Sequence, residues 1–520
     1  MTELPLVLQN GQTMKVTIRI NGDVLSAYIP KKDLEEPIIS VEDEALWGGS
    51  ILLRNGWRLA LPHLPQDARL PVTVEARRMS GRLDRGPHEK PDRMTRIGEI
   101  SSSQNAAAML AENQKMHPWP ALTRTAYEDV AACISSGELS GSGLGIINAF
   151  ERRMEEWIGG GYVVSASSGT AALTVALIAL GIQPGDVVLL PSYTWAATAL
   201  APLLIGAIPR FVDIDPNSYN ISPTALAAAI TPDVKAIIVV HMHGISCDMD
   251  EIICHAREQG IAVIEDCAQA HGALYKGQHV GLLSDIGCFS MQKSKHLSAG
   301  DGGFMVTRDP TLAQKMRDIC NFGLPTPKAN YRFDEVVRDG YAVFRECEQI
   351  GGMFRLQPMS AALVMHQLEH LRQRIAWLQT AMEPLVEESA KIPFFKITRS
   401  HVDRTHVWHK IRVGIDYAAV DYFGRSMAEI RRGLRNSLAE RGISSTLWTA
   451  PILPLQTAFR PYAGVVEWTK SAGHLAIENS FIVFDENYPL IAQEPAKMAE
   501  LVVKLQQAWD EHFTSLARGK

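Results

Sequence analysis

From about residue 117 onward the sequence predicts an α/β fold built on a large, mostly parallel sheet. Three observations carry this. Seven short, β-branched runs recur: "YVVSAS" (162–167), "DVVLLP" (186–191), "RFVDI" (210–214), "AIIVVH" (236–241), "AVIED" (262–266), "IGCFSM" (286–291) and "GFMVT" (303–307). Helical segments such as "AALTVALIALG" (171–181) and "PTALAAAI" (223–230) lie between most of them. The runs are continuously apolar rather than alternating, as strands covered on both faces are. In such sheets ligands bind beyond the carboxyl ends of the strands, so the residues closing each run are the ones to examine for chemistry.

The preceding region has a different texture. "KVTIRINGDVLSAYI" sets Asn21-Gly22 between two alternating runs, and "SILLRNGWRLAL" repeats the device at Asn55-Gly56. Asn-Gly tolerates the positive φ values of a two-residue turn, the strongest short-range hairpin signal. Residues 1–80 therefore read as a small β-rich domain without a catalytic constellation. Residues 81–116 read as a linker, because "MSGRLDRGPHEKPDRMTRIGE" (Met79–Glu99) is charged, carries Pro and Gly, and is poor in large apolar residues.

Composition bounds the function. A chain of 520 residues exceeds one comfortable core and points to two or three domains. With 46% hydrophobic and 21% charged residues and a net charge of -6, it reads as globular, with no nucleic-acid footprint. The basic run "EIRRGLRNSLAERG" (Glu429–Gly442) reads as a solvated helix face. The seven cysteines form no CxxC pair, which suggests reduced thiols in a cytoplasm. Cys247, Cys254 and His255 lack a completing pair, so they read as core filling and no metal is expected. The N-terminus shows no signal pattern. "WAATALAPLLIGAIP" (Trp195–Pro209) is too short for a membrane span and reads as a buried core helix.

The strand ends hold a recurrent chemistry. "YVVSAS" runs through Ser167-Ser168-Gly169-Thr170 straight into a helix, whose N-terminal N–H groups and positive dipole end suit a phosphate. A plain Ser cap is the alternative there. "SGSGLG" (Ser140–Gly145) imitates a dinucleotide fingerprint but has no strand before it. "AVIED" closes on Glu265-Asp266, and a buried carboxylate needs a partner. A protonated ring nitrogen would serve, with Gln269 reaching the same pocket; a cap or salt bridge would also serve. Tyr193 and Trp195 follow "DVVLLP", and an aromatic plane there could cover a flat heterocycle. Lys293 and Lys295 follow "IGCFSM" next to a Gly-Asp-Gly-Gly turn, and a lysine so placed can lose its proton and form an imine with an aldehyde. A phosphate cradle, an acid for a ring nitrogen, a stacking aromatic and a reactive lysine together describe pyridoxal 5'-phosphate.

These residues resemble the DegT/DnrJ/StrS family of sugar-type aminotransferases over about four-fifths of the chain, from His117 onward. The matching stretches include "SGELSGSG", "SASSGTAAL", "GDVVLLPSYTWAATA", "FVDIDPNSYNISPTAL", "HGISCDMDEI", "VIEDCAQAHGA", "CFSMQKSKHLSAGDGG" and "HQLEHL". The resemblance implies the type I, aspartate-aminotransferase-like fold of pyridoxal-phosphate enzymes. A large cofactor domain of seven strands would occupy residues 117–385, and a small C-terminal α+β domain residues 386–520. Of the two lysines, it selects Lys295, which has Phe289-Ser290 before it and Leu297 and Gly300-Asp301-Gly302-Gly303 after it at the family's spacing. It further implies that Asp266 pairs with the pyridine nitrogen and Gln269 approaches the ring hydroxyl. Trp195 would stack on the ring, and Ser168, Gly169, Thr170 and Ser290 would hold the phosphate. Tyr193, Gln292 and His296 become candidates for substrate contact.

Two departures from the family stand out. "GGMFR" puts Met353 where the family has an Asn that reaches the neighbouring subunit's phosphate, and a thioether cannot donate a hydrogen bond. Gln292, three before the lysine, resembles the branch that aminates cyclitols such as scyllo-inosose and a related branch acting on aldehydes. The N-terminal β domain is also absent from most members.

The implied reaction is a two-stage transamination from L-glutamate or L-glutamine to a ketone or aldehyde of a small precursor, in secondary-metabolite or antibiotic biosynthesis. Lys295 would act as general base and acid. The competing expectations are a sugar dehydratase, whose representatives carry His in place of the lysine, and a non-enzymatic sensor using the N-terminal domain. A homodimer is expected, with "FRECEQIGGMFRLQPMSAALV" (Phe344–Val364) completing the neighbour's site.

Overall fold

The computed structural model describes the strand residues between Thr13 and Arg78 with Leu61 and Pro62, and residues 124–141, 145–325, 347–391, 394–448, 451–483, 503–504 and 506–512. Contacts divide the chain into two compact units, Met1–Ser101 and Ser102–Lys520.

The first unit is a closed barrel of six strands, β1 (Thr13–Asn21), β2 (Val24–Ile29), β3 (Leu34–Val41), β4 (Ser50–Leu53), β5 (Arg58–Ala60) and β6 (Val72–Arg78). Every pairing is antiparallel, and β1 closes the barrel on β6. Alternate residues point inward, as a period of two requires: Val16 and Ile18, Ala27 and Ile29, Ile51 and Leu53, Val74 and Ala76 are buried. The first hairpin pairs as far as Asn21↔Val24, so Asn21 is the last strand residue rather than a turn centre. Asn55-Gly56 and the Met79–Glu99 linker lie outside the described residues.

The second unit is built on a seven-stranded sheet of β7 (Tyr162–Ala166), β8 (Val187–Pro191), β9 (Ile208–Val212), β10 (Val234–Val240), β11 (Ala262–Asp266), β14 (Ile286–Ser290) and β15 (Gly303–Thr307). A small hairpin, β12 (Leu274–Tyr275) and β13 (Gln278–His279), interrupts the series. The sheet order is β7-β15-β14-β11-β10-β8-β9. Only β15 runs against its neighbours. These are the seven runs read from the sequence, with β9 starting two residues earlier than expected. The helix Gly169–Ala179 buries eight of its eleven residues against one face, which explains why it is apolar all round. Because β7, β8, β10, β11 and β14 all point the same way, their carboxyl ends form one edge of the sheet.

Two expectations need correction. The apolar run from Trp195 yields only the short helix Ala197–Leu204, followed by edge strand β9, and Leu200 and Leu204 on that helix are exposed. Cys247 is buried, with its Sγ 3.1 Å from the Val240 carbonyl, but Cys254 is exposed on the helix Met249–Glu258 and fills no core.

The 32-residue helix Pro358–Ser389 leads to a four-stranded antiparallel sheet of β16 (Phe395–Ile397), β17 (Ile411–Ile415), β18 (Ser445–Thr446) and β19 (Ser480–Val483), in the order β16-β17-β19-β18. The helix Met427–Glu440 packs on it through Met427, Ile430, Leu434 and Leu438 and begins with a Ser426/Glu429 capping box. Two arginines of its basic run, Arg431 and Arg435, bond Glu478 and Ser445 within the same unit.

Candidate active site

At the end of β11 two consecutive carboxylates take different environments. Glu265 is fully buried and accepts from His241 Nε2 at 2.9 Å, from the N–H groups of Gly281, Leu283 and Ser284, and from the Ser284 hydroxyl. Burial pushes its carboxyl up, but these donors outweigh burial and hold it below its ordinary range. His241, Glu265 and Cys267 are close enough to suggest a metal site. His241 Nδ1, however, accepts from the Cys247 N–H at 3.1 Å, so its Nε2 carries the proton that Glu265 accepts. No lone pair of that ring is left for a metal.

Asp266 points to the other face. It is 5% exposed, with Oδ2 accepting from the Thr198 hydroxyl at 2.9 Å and Oδ1 from the Ala268 N–H at 3.1 Å. Burial pushes its carboxyl up, while Thr198, Ala268 and the Lys295 ammonium pull it down less strongly. Lys295 sits after β14 on a turn closed by its own N–H to the Gln292 carbonyl at 2.8 Å. Burial lowers its amine to about 8; Asp266 opposes this shift and Lys410 adds to it. Lys293 is exposed.

The phosphate candidates also meet. A Cβ at Gly169 would lie 2.7 Å from Ser290 Cβ, so the start of the helix and the end of β14 touch at a cradle that only glycine leaves open. Ser168 is the helix cap and accepts from the Ala171 N–H at 3.0 Å. Gly169 and Thr170 are the first two helical residues, whose N–H groups have no intrahelical partner. Gln269 accepts the His243 N–H on Oε1 at 2.9 Å, which leaves its NH₂ as the group it can offer a ligand. Trp195 is 56% exposed and stacked on Trp448, with ring centroids 6.0 Å apart. An anion cradle, a desolvated carboxylate, a half-exposed indole face and a lysine with a depressed pKa fit a phosphorylated pyridine aldehyde.

The substrate candidates are held differently. The buried Tyr193 hydroxyl accepts from Arg412 Nη2, and the buried His296 bonds the Val407 carbonyl through Nε2 at 2.9 Å. Gln292 is exposed, and its Oε1 accepts from the Ser294 N–H and hydroxyl, each at 2.8 Å. Met353 is exposed and forms an isolated β-bridge with Asn321.

Sequence reasoning missed Thr198, His243, Lys410 and Arg412. The legible signal for the last two was "HKIRV", where cations interrupt an apolar strand.

The seven-stranded sheet and C-terminal antiparallel sheet define a type I aminotransferase fold. Residues 120–472 match the model of the DegT/DnrJ/EryC1/StrS aminotransferase family, and the chain belongs to that family, which uses pyridoxal phosphate. Residues 14–76 match the NifT/FixU protein model. The chain is 99% identical over 507 residues to Protein MosB of Rhizobium meliloti, covering 98% of this chain and 100% of that one. It is 35% identical over 327 residues to an L-glutamine:2-deoxy-scyllo-inosose aminotransferase of Streptomyces lividus, covering 60% and 74%. Among solved structures, an aminotransferase from Psychrobacter cryohalolentis has 28% identity and a TM-score of 0.66, covering 77% of this chain and 99% of that one. Among the described residues no helix is long and apolar enough to cross a membrane.

Proposed function

We propose that this aminotransferase moves nitrogen from L-glutamine or L-glutamate to the ring ketone of a cyclitol or a related keto-sugar, as a step in secondary-metabolite biosynthesis. The observation that carries the chemistry is that Lys295, its amine lowered to about 8 by burial, lies near enough to the desolvated Asp266 for each charge to act on the other. The acceptor class is supported by the relatives named as 2-deoxy-scyllo-inosose aminotransferases and by Gln292 before the lysine.

Bound pyridoxal phosphate supplies an electron-withdrawing ring that takes up the charge left when the substrate loses its proton. Asp266 would hold a proton at the ring nitrogen, its carboxylate oriented by Thr198 and Ala268. The Lys295 amine would take and later return the substrate's α-proton, and its depressed pKa suits both directions near neutral pH. The helix start at Gly169–Thr170 and the Ser290 hydroxyl would hold the phosphate. The Gln269 amide would offer its N–H groups to the cofactor, and the Trp195 indole would shield the cofactor from water.

We further propose a homodimer whose 344–364 segment completes the partner's site, a cytoplasmic location, and the division at about residue 385 into large and small domains. The decisive test incubates purified enzyme with amide-¹⁵N- and amine-¹⁵N-labelled glutamine and labelled glutamate, against cyclitol ketones, keto-sugars and aryl aldehydes. Label transferred to scyllo-inosose or its deoxy analogue supports the reading; label passing only to an aryl aldehyde overturns the acceptor.

A further inference from the structure

The loop that follows β8 carries a buried hydroxyl, that of Thr194, between Tyr193 and Trp195. Thr194 Oγ1 is 2.9 Å from Thr198 Oγ1, four residues further along the chain. Thr198 Oγ1 is in turn 2.9 Å from Asp266 Oδ2. All three side chains are shut off from solvent: Thr194 is 1% exposed, Thr198 0% and Asp266 5%. The other carboxylate oxygen, Oδ1, accepts from the Ala268 N–H at 3.1 Å. The three groups form one buried chain, hydroxyl to hydroxyl to carboxylate.

Each hydroxyl has one proton to give, so the direction of the chain follows from the state of the acid. With Asp266 ionised, Thr194 donates to Thr198 and Thr198 donates to the carboxylate, and every proton has an acceptor. A proton on Oδ2 turns both hydroxyls round, and the Thr194 proton is then left without an acceptor among the described residues. An unmet buried donor is costly. A proton on Oδ1 leaves the direction intact but weakens the chain, because a hydroxyl bonds more strongly to an ionised oxygen than to a neutral one. Both comparisons favour the carboxylate, and two hydroxyl dipoles aligned toward it reinforce each other. Burial alone drives Asp266 the other way, toward its neutral form.

We propose that Thr194 is a positioning residue that acts through Thr198 to keep Asp266 ionised, so that the proton shared between Asp266 and the cofactor's ring nitrogen stays on the nitrogen. The assignment rests on Asp266 being the partner of that nitrogen, as read above, and adds what decides the side on which the proton lies. A nitrogen–carboxylate pair in a buried site can pass its proton across and become neutral, and the ring then withdraws electrons less strongly. The directed hydroxyl chain opposes that transfer.

The test uses holoenzyme loaded with pyridoxal phosphate carrying ¹⁵N in its ring, and reads the ring nitrogen's resonance by NMR. In the unaltered protein that resonance should be the one of a protonated pyridine. Thr194→Val removes the hydroxyl at nearly constant volume. Its resonance should move toward that of an unprotonated ring, and kcat should fall about threefold or more. Thr194→Ser returns the hydroxyl without the methyl group and should restore both. Thr194→Ala is the second variant should Thr194→Val fail to fold, and the same displacement is expected of it. A resonance in either variant equal to that of the unaltered protein, whatever the melting temperature, would overturn the role of Thr194 and leave Asp266 in place. A displacement that Thr194→Ser does not reverse would do the same. An unprotonated ring nitrogen in the unaltered holoenzyme would instead overturn Asp266 as its partner, and the role of the chain with it.

Discussion

Glu265 and Asp266 are consecutive on a strand, so their side chains leave opposite faces of the sheet and can be separated experimentally. Glu265→Gln breaks a buried network centred on His241 and the 281–284 loop, and should cost about 3–5 kcal/mol of stability in urea titrations. Asp266→Asn keeps the shape and a hydrogen bond to Thr198 but cannot support a ring-nitrogen proton; kcat should fall by about 10²-fold or more with a near-normal melting temperature. A large stability loss in the second variant would make Asp266 structural. Lys295 carries a pH prediction. Its folded pKa of about 8 lies below the ordinary 10.5, so the neutral, nucleophilic amine predominates above about pH 8. Uptake of pyridoxal phosphate by the cofactor-free protein should accelerate with pH and level off there. A rate still climbing toward pH 10 would contradict the burial of this amine. At this scale the sequence showed an acidic strand end and two lysines but could not divide their roles from the residues alone. The partners that distinguish Glu265 from Asp266 come from residues 198, 241 and 281–284, and only the fold assembles them.

The helix Gly169–Ala179 and the strands β14 and β15 meet at two glycines with different jobs. A Cβ at Gly169 meets a side-chain carbon, Ser290 Cβ at 2.7 Å, whereas a Cβ at Gly303 meets the Ser168 backbone at 2.5 Å. Gly169→Ala should therefore push Ser290 away from the helix start and lose cofactor affinity, by about tenfold or more in equilibrium titrations, at some cost in stability, while Gly303→Ala, which meets backbone from two segments, should be more poorly folded. Equal cofactor affinity in Gly169→Ala would remove the helix start from the phosphate site. The seven central strands were legible because strands covered on both faces are apolar without interruption. The C-terminal sheet was not, since β16, β17, β18 and β19 have 3, 5, 2 and 4 residues and pair across long separations. Its polar side chains near the site were hidden for the same reason: Arg412 lies on β17 and Lys410 just before it, and both take their meaning from the β10 end they face.

The whole chain joins a six-stranded barrel to an aminotransferase, and the barrel has its own closed core of alternating inward residues. Removal of residues 1–101 should leave turnover within about twofold, measured with the acceptor found in the labelling experiment; loss of turnover would tie the barrel to catalysis. The hairpin signals announced the barrel's first strands but not its closure, because the β1–β6 pairing joins residues more than fifty positions apart. All of the proposed chemistry passes through one amine. The direct measurement is borohydride reduction of the holoenzyme, followed by digestion and mass spectrometry of the cofactor-bearing peptide. A phosphopyridoxyl group on Lys295, with Lys293 unmodified, is the expected result. The same group on Lys293 or on another residue, or no labelled peptide from an enzyme that still turns over, would contradict it.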